Sequence, residues 1–178
     1  QEYRNSVDKF MKECLYEPTE EIYERAEAFG FDEKRKHIAL FLSPDEKNGD
    51  LEHLMQAARQ SLNLQPIIFT LIENDGVVVI YDLPEMSQPV HELLGNLRKN
   101  IETFYQIYHK NVTISAGAGD SFCSIRDLKD SVTEAKHALN MLHMCKRTGQ
   151  YRMYEEMGIY QLLFSIKDDS ILKRIIEE

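Results

Sequence analysis

Residues 67–84 read IIFTLIENDGVVVIYDLP, and this stretch constrains the fold more than any other part of the sequence. Two apolar runs flank a short polar segment, a pattern typical of a β-hairpin. Asn74, Asp75 and Gly76 favour a tight turn, because Asn and Asp tolerate left-handed backbone conformations and Gly adopts positive φ without steric cost. Turn formation alone explains the segment, so any chemistry of Glu73 and Asp75 requires further acids from other elements.

Length and charge limit the classes of protein to which the chain can belong. Its 178 residues allow one well-buried domain, or one domain with an appended segment. A net charge of −9 would repel a phosphate backbone, so we do not expect this segment to bind nucleic acid directly. The longest apolar run, VVVIY, is far too short to span a membrane, and the first residues do not form a signal peptide. We therefore expect a soluble protein of the cytoplasm.

Before the hairpin, helical periodicity and capping residues predict three helices, and a continuous apolar run predicts one strand. Apolar residues recur at helical spacing over residues 7–15, and a second helix is expected from an N-cap at Thr19 to a C′ glycine at Gly30. Residues 37–43, HIALFLS, form a continuous apolar run, as expected of a strand buried on both faces. Asp50 then predicts the N-cap of a third helix with one apolar side.

After the hairpin the sequence predicts two long helices, two strands and two short terminal helices. Ser87 and Pro89 mark the start of the first long helix, whose apolar stripe extends to Tyr108. The second long helix is expected to end at a C′ glycine, Gly149. The predicted strands are residues 112–119 and 150–156, and the short helices follow around residues 159–163 and after residue 170.

Without the two leading helices, the order of elements is β-α-β-β-α-β-α-β. This order contains a hairpin and two β-α-β crossovers, which the preference for right-handed crossovers folds into a single sheet with helices packed on it. The expected class is therefore α/β (α+β): a ferredoxin-like or nucleotide-cyclase-like palm. It has a mixed, mostly antiparallel sheet flanked by helices, and a helical lead-in at the N-terminus.

Three stretches resemble a known family. Residues 112–139, VTISAGAGDSFCSIRDLKDSVTEAKHAL, resemble the strand, G-x-G turn and S-x-x-E-A-x-x-A-L helix of the GGDEF-like middle domain of CdaR/PucR-type bacterial transcription regulators, the carbohydrate diacid regulators among them. Residues 151–163, YRMYEEMGIYQLL, are similar to that family's aromatic-acidic strand and the G-x-x-x-L-L after it, and residues 4–31 look like its helical connector. The motif residues, expected to be structural, are Gly117, Gly119, Ser131, Glu134, Ala135, Ala138, Leu139, Tyr154, Gly158, Leu162 and Leu163.

The resemblance implies how the chain is divided and what it does. Residues 1–31 would be a helical connector, residues 32–166 a degenerate GGDEF-like domain, and residues 167–178 the start of a linker helix toward a helix-turn-helix domain outside this chain. The domain would contribute dimerisation and signal relay without catalysis, as a homodimer and with no cofactor. DNA would be contacted only by the missing C-terminal domain, and a small-molecule effector would be bound by a missing N-terminal domain.

The same resemblance locates a cyclase site in this sequence. Active GGDEF cyclases carry Gly-Gly-Asp/Glu-Glu-Phe on the equivalent hairpin, where residues 73–76 read ENDG and both leading glycines are gone. Metal-assisted phosphoryl transfer also needs a carboxylate from a second element, which Asp45 or Glu46 could supply. Because SPDEK after the first strand departs from the spaced aspartates of active relatives, we predict no cyclase activity and no catalytic residue. The alternatives are a GTP-dependent cyclase that uses Glu73 and Asp75, and a small-molecule or nucleotide-sensing module.

Other residues with chemical potential favour structural roles. Gly117 and Gly119 follow a strand as in a dinucleotide fingerprint, but Phe122 replaces the third glycine, so a tight strand exit packed against a helix is preferred. The six histidines show neither HExxH nor an i, i+4 pair on one helix, so ligand spacing predicts no metal site. The three cysteines, an odd count without CxxC spacing, are expected to be reduced and inert.

Overall fold

The computed structural model describes residues 2–62, 67–83, 85, 89–163 and 169–177. The strands in these ranges are β1 His37–Pro44, β2 Ile67–Glu73, β3 Gly76–Asp82, β4 Ile114–Ala118 and β5 Tyr151–Met153. The helices are α1 Glu2–Tyr16, α2 Glu20–Glu24, α3 Leu51–Ser61, α4 Val90–Tyr105, α5 Leu128–Met144, α6 Tyr160–Leu163 and α7 Asp169–Glu177. Short 3-10 turns occupy Glu27–Phe29, Ile125–Asp127 and Tyr154–Met157.

One five-stranded sheet organises the domain, in the order β2-β3-β1-β4-β5. The central strand β1 is antiparallel to both β3 and β4, and the hairpin strands β2 and β3 are antiparallel. Of the strand pairs in the described ranges, only β4 and β5 are parallel. The predicted mixed, mostly antiparallel sheet is confirmed. The pairing directions require three crossovers, through α3, α4 and α5, so the expected number of two was wrong. The strand β4 belongs to two of these crossovers, because it follows α4 and precedes α5.

Helices cover both faces of the sheet. On one face α3 and α4 pack over alternate residues of β1, and on the other face α1 and α5 pack over the intervening ones. All eight residues of β1 are buried, which confirms the prediction of a doubly buried strand. The apolar stripe of α1, namely Phe10, Met11, Cys14 and Leu15, lies in the core, so the leading helix packs directly on the sheet.

The hairpin forms as predicted, but its glycine has a different role. Asn74 takes the left-handed conformation, with φ of 52°, and Gly76 does not. A Cβ atom on Gly76 would lie 2.5 Å from Cζ of Phe41 and 2.6 Å from the carbonyl oxygen of Leu42. Close packing against β1 therefore excludes a side chain at Gly76, while Asn74 supplies the backbone conformation of the turn.

The end of α5 also differs from the expectation. The left-handed C′ residue is Lys146, with φ of 53°, and the predicted Gly149 lies farther along the loop. The N–H of Lys146 donates to the carbonyl of His143 at 3.0 Å, and the N–H of Arg147 donates to the carbonyl of Leu142 at 2.9 Å. These two bonds form a Schellman motif, which satisfies the last carbonyls of the helix without a glycine.

Three further boundaries were predicted incorrectly. The predicted helix from Thr19 to Gly30 is broken into α2 and a 3-10 turn, although Thr19 caps it and Gly30 ends it with φ of 91° as expected. The helix α4 ends before Tyr108, which is 77% exposed and does not extend the apolar stripe. The strand β5 stops at Met153, where the chain enters a 3-10 turn. The predicted helix start at Ser87 lies outside the described residues.

In the described ranges no helix combines the length and the apolar character that crossing a membrane requires.

Candidate functional site at the hairpin end of the sheet

The tip of the hairpin lies beside the end of the central strand. Val77 of β3 pairs with Leu42 of β1, one residue before the buried Ser43. The hydroxyl of Ser43 donates to the carbonyl oxygen of Asp75 at 2.9 Å, which fixes the turn against β1. The two acid-bearing segments that the sequence singled out are therefore neighbours in space.

A cleft of about 860 Å³ opens at this point. We call it the hairpin cleft. It lies between the loop after β1, the hairpin tip and the end of α5. The loop contributes Asp45, Glu46 and Lys47, the tip contributes Asn74 and Asp75, and the helix end contributes His143, Lys146 and Arg147. The hairpin cleft thus combines acids from the loop and the hairpin tip with fixed cations from the loop and the end of α5.

Asp45 is the best-placed acid of the loop, and its acceptor capacity is almost fully occupied. One carboxylate oxygen accepts from the hydroxyl of Ser115 at 2.7 Å. The other accepts from the hydroxyl of Thr113 at 2.6 Å and from the N–H of Gly149 at 2.8 Å. A carboxylate has about four lone-pair sites, so three donors leave little for a metal ion. Asp45 instead ties the end of β1 to β4 and to the loop before β5.

Glu73 is directed away from the hairpin cleft, toward α5. Its side chain is only 7% exposed, and one oxygen accepts from Nζ of Lys136 at 2.5 Å. The same ammonium lies 5.6 Å from the centroid of the Phe41 ring. Glu73 is therefore the acidic partner of a largely buried ion pair between β2 and α5, and it does not line the cleft.

Two acids, Glu46 and Asp75, are left on the wall of the hairpin cleft. Both are exposed. Within the described ranges, neither belongs to a group of three His, Cys, Asp or Glu side chains close enough to hold one metal ion. The arrangement offers one carboxylate from each of two elements, without the converging ligands that a tightly held divalent cation requires.

The glycines of the family motif lie at the contact between β4 and α5. A Cβ atom on Gly117 would lie 2.0 Å from the carbonyl oxygen of Ala135, and one on Gly119 would lie 2.1 Å from that of Ser131. The hydroxyl of Ser131 donates to the carbonyl of Asp120 at 2.9 Å and accepts from the N–H of Ala39 at 3.3 Å. Here the glycines allow the helix backbone to touch the strand backbone, which is a packing role and needs no nucleotide.

The other motif residues line the path of the chain through and after α5. Burial raises the pKa of Glu134, whose carboxylate accepts from the N–H of Asp120 at 3.2 Å. Burial also raises the pKa of Tyr154, and the nearby charge of Glu134 adds to this effect. Gly158 has φ of 54°. Ala135, Ala138 and Leu139 are buried, whereas Leu163 is half-buried and Leu162 is 71% exposed. None of the motif residues lines the hairpin cleft.

A second group of polar side chains was not predicted. Asp50, His53 and His109 meet where α3 begins and the segment after α4 passes, and the structure brings one potential ligand atom of each within 4.8 Å of the others. His53 and His109 are distant in sequence, so their spacing could not reveal the group. The N-cap role of Asp50 is confirmed, since its carboxylate accepts from the N–H of His53 at 3.0 Å.

The fold and the hairpin end define a palm of the nucleotide-cyclase class. A family model described as the GGDEF-like domain matches residues 16–141, and the chain belongs to this family. It is also similar to the structure of the active GGEEF domain of a diguanylate cyclase from Vibrio cholerae, with 12% identity and a TM-score of 0.53. The likeness covers 85% of this chain and 96% of that one, and at this identity it concerns the fold alone. No curated protein matches significantly.

Proposed function

We propose that this GGDEF-like domain is a non-catalytic relay and dimerisation module of a bacterial transcription regulator of the sugar diacid type. The absence of catalysis is inferred from one observation: two of the acids at the hairpin end are already bonded to other residues of the fold. Asp45 accepts three hydrogen bonds within the fold, and Glu73 is paired with Lys136 on the far side of β2. Neither carboxylate faces the hairpin cleft as an open ligand.

Metal-assisted cyclisation would require these acids to leave their present partners. Each hydrogen bond of Asp45 contributes about 1 kcal/mol net, and donors left unpaired in the interior cost more. Freeing Glu73 would separate a buried carboxylate from its ammonium, which is costly in a largely buried pair. The remaining acids, Glu46 and Asp75, are exposed and have no third ligand beside them among the described residues. Binding of a catalytic metal ion by Asp45 and Glu73 is therefore unfavourable in the folded state.

Incubation with GTP and either Mg²⁺ or Mn²⁺ tests the absence of catalysis. We expect no cyclic dinucleotide or released diphosphate above the protein-free blank. The variants Asp75→Asn and Glu46→Gln, which change the two exposed acids of the cleft wall, should give the same blank value. Turnover by the unmodified chain that either variant abolishes would contradict the proposal.

The regulator context is supported by the sequence resemblance over residues 112–139 and 151–163. In this proposal residues 1–31 connect to an upstream effector-binding domain, residues 32–166 form the GGDEF-like domain, and residues 167–178 lead to a DNA-binding domain. The apolar residues of α1 pack directly on the sheet, so a signal that displaces α1 would reach the core of the domain, and the sequence of α7 has apolar residues at helical spacing. The regulator would act as a cytoplasmic homodimer that contacts DNA only through that downstream domain.

Sedimentation over a wide concentration range tests the dimer, with the isolated chain compared with the regulator that contains it. We expect concentration-dependent dimerisation of the chain, and operator binding by the regulator that weakens when the domain is deleted. A chain that stays monomeric at all concentrations, together with operator binding that is unchanged by the deletion, would remove the relay proposal.

The cations of the hairpin cleft favour a second candidate, recognition of an anionic small molecule or nucleotide without turnover. Lys47, Lys146 and Arg147 line the cleft, and none of them forms an ion pair with another described residue. Guanidinium and ammonium groups at such a position suit phosphate oxygens. Thermal unfolding with added GTP tests this candidate, because a ligand of the folded state raises Tm. The shift should be lost in Arg147→Gln and kept in Lys99→Gln, which changes an exposed lysine of α4.

A further inference from the structure

The group formed by Asp50, His53 and His109, which we call the Asp50 cluster, lies at a corner between two helices. Asp50 and His53 belong to the first turn of α3, and His109 belongs to the segment that follows α4. One potential ligand atom from each side chain lies within 4.8 Å of the other two. Nε2 of His109 lies 3.4 Å from Oδ2 of Asp50.

The backbone of the corner fixes how Asp50 presents its carboxylate. Oδ1 accepts from the N–H of His53 as the helix cap, at 3.0 Å, so Oδ2 is the oxygen that faces His109. The N–H of Asp50 donates to the hydroxyl of Tyr105 at 3.2 Å, and Tyr105 is completely buried. One oxygen thus serves the fold, and the other is held in place toward the imidazole rings.

Ring stacking holds the two imidazoles near each other. Tyr105 stacks on His109 with ring centroids 4.4 Å apart and on His53 with centroids 5.3 Å apart. The two imidazole centroids are 5.1 Å apart. Nδ1 of His53 is buried and has no hydrogen-bond partner among the described residues. A buried ring nitrogen without a partner is unfavourable, and a neutral imidazole nitrogen is a common metal ligand.

We propose that the Asp50 cluster binds a divalent transition-metal ion, Zn²⁺ in the first place. The ligands would be Oδ2 of Asp50, Nε2 of His109 and one ring nitrogen of His53. Two imidazoles and a carboxylate suit zinc and its neighbours, whereas Mg²⁺ and Ca²⁺ prefer sites built from oxygen alone. With three protein ligands, a tetrahedral ion would keep a water molecule in the fourth position.

The distances require only a small contraction. Zinc–nitrogen and zinc–oxygen bonds of about 2.0–2.2 Å place neighbouring ligands of a tetrahedron roughly 3.4 Å apart. The pair Asp50–His109 already has this separation, and the other separations, which lie within 4.8 Å, would shorten by at most about 1.4 Å through side-chain rotation. The competing interpretation is a metal-free aromatic stack with an Asp50–His109 ion pair, which explains the contact but leaves Nδ1 of His53 unpaired.

This site is independent of the proposed function. It contains neither Asp45 nor the acids of the hairpin tip, and its residues do not line the hairpin cleft. A metal ion here would hold the start of α3 to the end of α4, and Asp50 directly follows the loop that forms one wall of that cleft. The proposal therefore stands or falls on metal binding, irrespective of GTP turnover or of the regulator context.

Calorimetric titration of ZnCl₂ into the metal-stripped chain tests the proposal, and the absorption bands of Co²⁺ report the geometry. We expect one ion per chain, tetrahedral cobalt bands and a raised Tm with Zn²⁺. Asp50→Asn retains the helix cap, and His109→Phe retains the stacked ring, but each should weaken binding by roughly tenfold or more. His91→Phe, which changes a histidine at the opposite end of α4, should bind as the unmodified chain does.

Exposed thiols also bind zinc, so the titration is repeated in Cys123→Ser/Cys145→Ser. Retained binding in this background supports the Asp50 cluster. The proposal is overturned if the unmodified chain binds no ion, if the serine substitutions abolish binding, or if Asp50→Asn and His109→Phe both bind as tightly as His91→Phe.

Discussion

Two acid-bearing corners of this domain differ in where their carboxylate oxygens are directed. At the hairpin end, Asp45 accepts three hydrogen bonds, and Oε2 of Glu73 is paired with Lys136. Oε1 of Glu73 has no hydrogen-bond partner among the described residues, but it is buried and belongs to a side chain that does not line the hairpin cleft. At the Asp50 cluster, one carboxylate oxygen caps α3 while the other faces an imidazole, and a ring nitrogen of His53 has no described partner. The acids at the corner where the sequence resemblance predicts the cyclase signature are therefore less available to a ligand than those of the Asp50 cluster. Whether a carboxylate can bind a ligand depends on how many of its oxygens already accept hydrogen bonds from neighbouring elements.

The largest predicted effect comes from removing the Asp45 carboxylate. Asp45→Ala leaves the hydroxyl of the fully buried Ser115 and two further donors without their acceptor. We expect a loss of about 3 kcal/mol in the free energy of unfolding, since each stranded buried donor costs about 1–3 kcal/mol. Urea unfolding measures it. If Asp45→Ala were as stable as the parent chain, the hydrogen bonds of Asp45 would not stabilise the fold. Its carboxylate would then be as available to a ligand as that of Asp50.

The ion pair of Glu73 predicts an asymmetric pair of variants. Lys136→Met leaves a carboxylate that is 7% exposed without its cation, and we expect a loss of about 2 kcal/mol, reduced from the value for fully buried pairs because Lys136 is 32% exposed. Glu73→Gln leaves the more exposed partner and should cost about 1 kcal/mol. Urea unfolding of both variants and of the double variant gives the coupling between them. Equal losses, or strictly additive ones, would mean that the pair contributes little.

Much of the fold could be predicted from local patterns, whereas the state of the candidate site could not. The continuous apolar run of β1, the cap at Asp50 and the hairpin turn are encoded by residues close in sequence, and all three are confirmed. The partners of Asp45 come from β4 and from the loop after α5, and those of His53 come from the end of α4. Contacts between distant elements follow from the register of the sheet and the docking of helices, which periodicity does not specify.

The glycines show the same limit on a smaller scale. The sequence indicates where a chain must turn, but it does not distinguish a glycine needed for positive φ from one needed for space. Gly76 is required by the approach of Phe41, and Lys146, a residue with a side chain, takes the left-handed position expected for Gly149. At Gly76 the packing of the neighbouring strand excludes a side chain, whereas at Lys146 the local bonds of the Schellman motif accommodate a residue other than glycine, and Gly149 takes positive φ, 62°, farther along the loop.

A smaller effect is expected from the cap at the Asp50 cluster. Asp50→Ala removes the acceptor for the N–H of His53 and should lower the free energy of unfolding by about 1 kcal/mol in metal-free buffer. Asp50→Asn should recover most of this loss, because an amide oxygen caps a helix nearly as well. Urea unfolding with a chelator present measures both variants. If Asp50→Asn were as unstable as Asp50→Ala, the charge facing His109 would itself be structural, and this corner would resemble the hairpin end.

The smallest change in the free energy of unfolding is expected for Asp75, an acid of the hairpin tip at which the resemblance predicts the cyclase signature. The side chain of Asp75 is exposed, and the contact that fixes the turn to β1 uses its backbone carbonyl, which accepts from Ser43. Asp75→Ala should therefore change the free energy of unfolding by less than about 0.5 kcal/mol, as is usual for surface substitutions. Ser43→Ala, which removes the donor of that backbone contact, should cost about 1 kcal/mol and serves as the matched comparison. If Asp75→Ala lowered the free energy of unfolding as much as Asp45→Ala, the carboxylate of Asp75 would also have a structural partner. The two acids would then not differ in their roles.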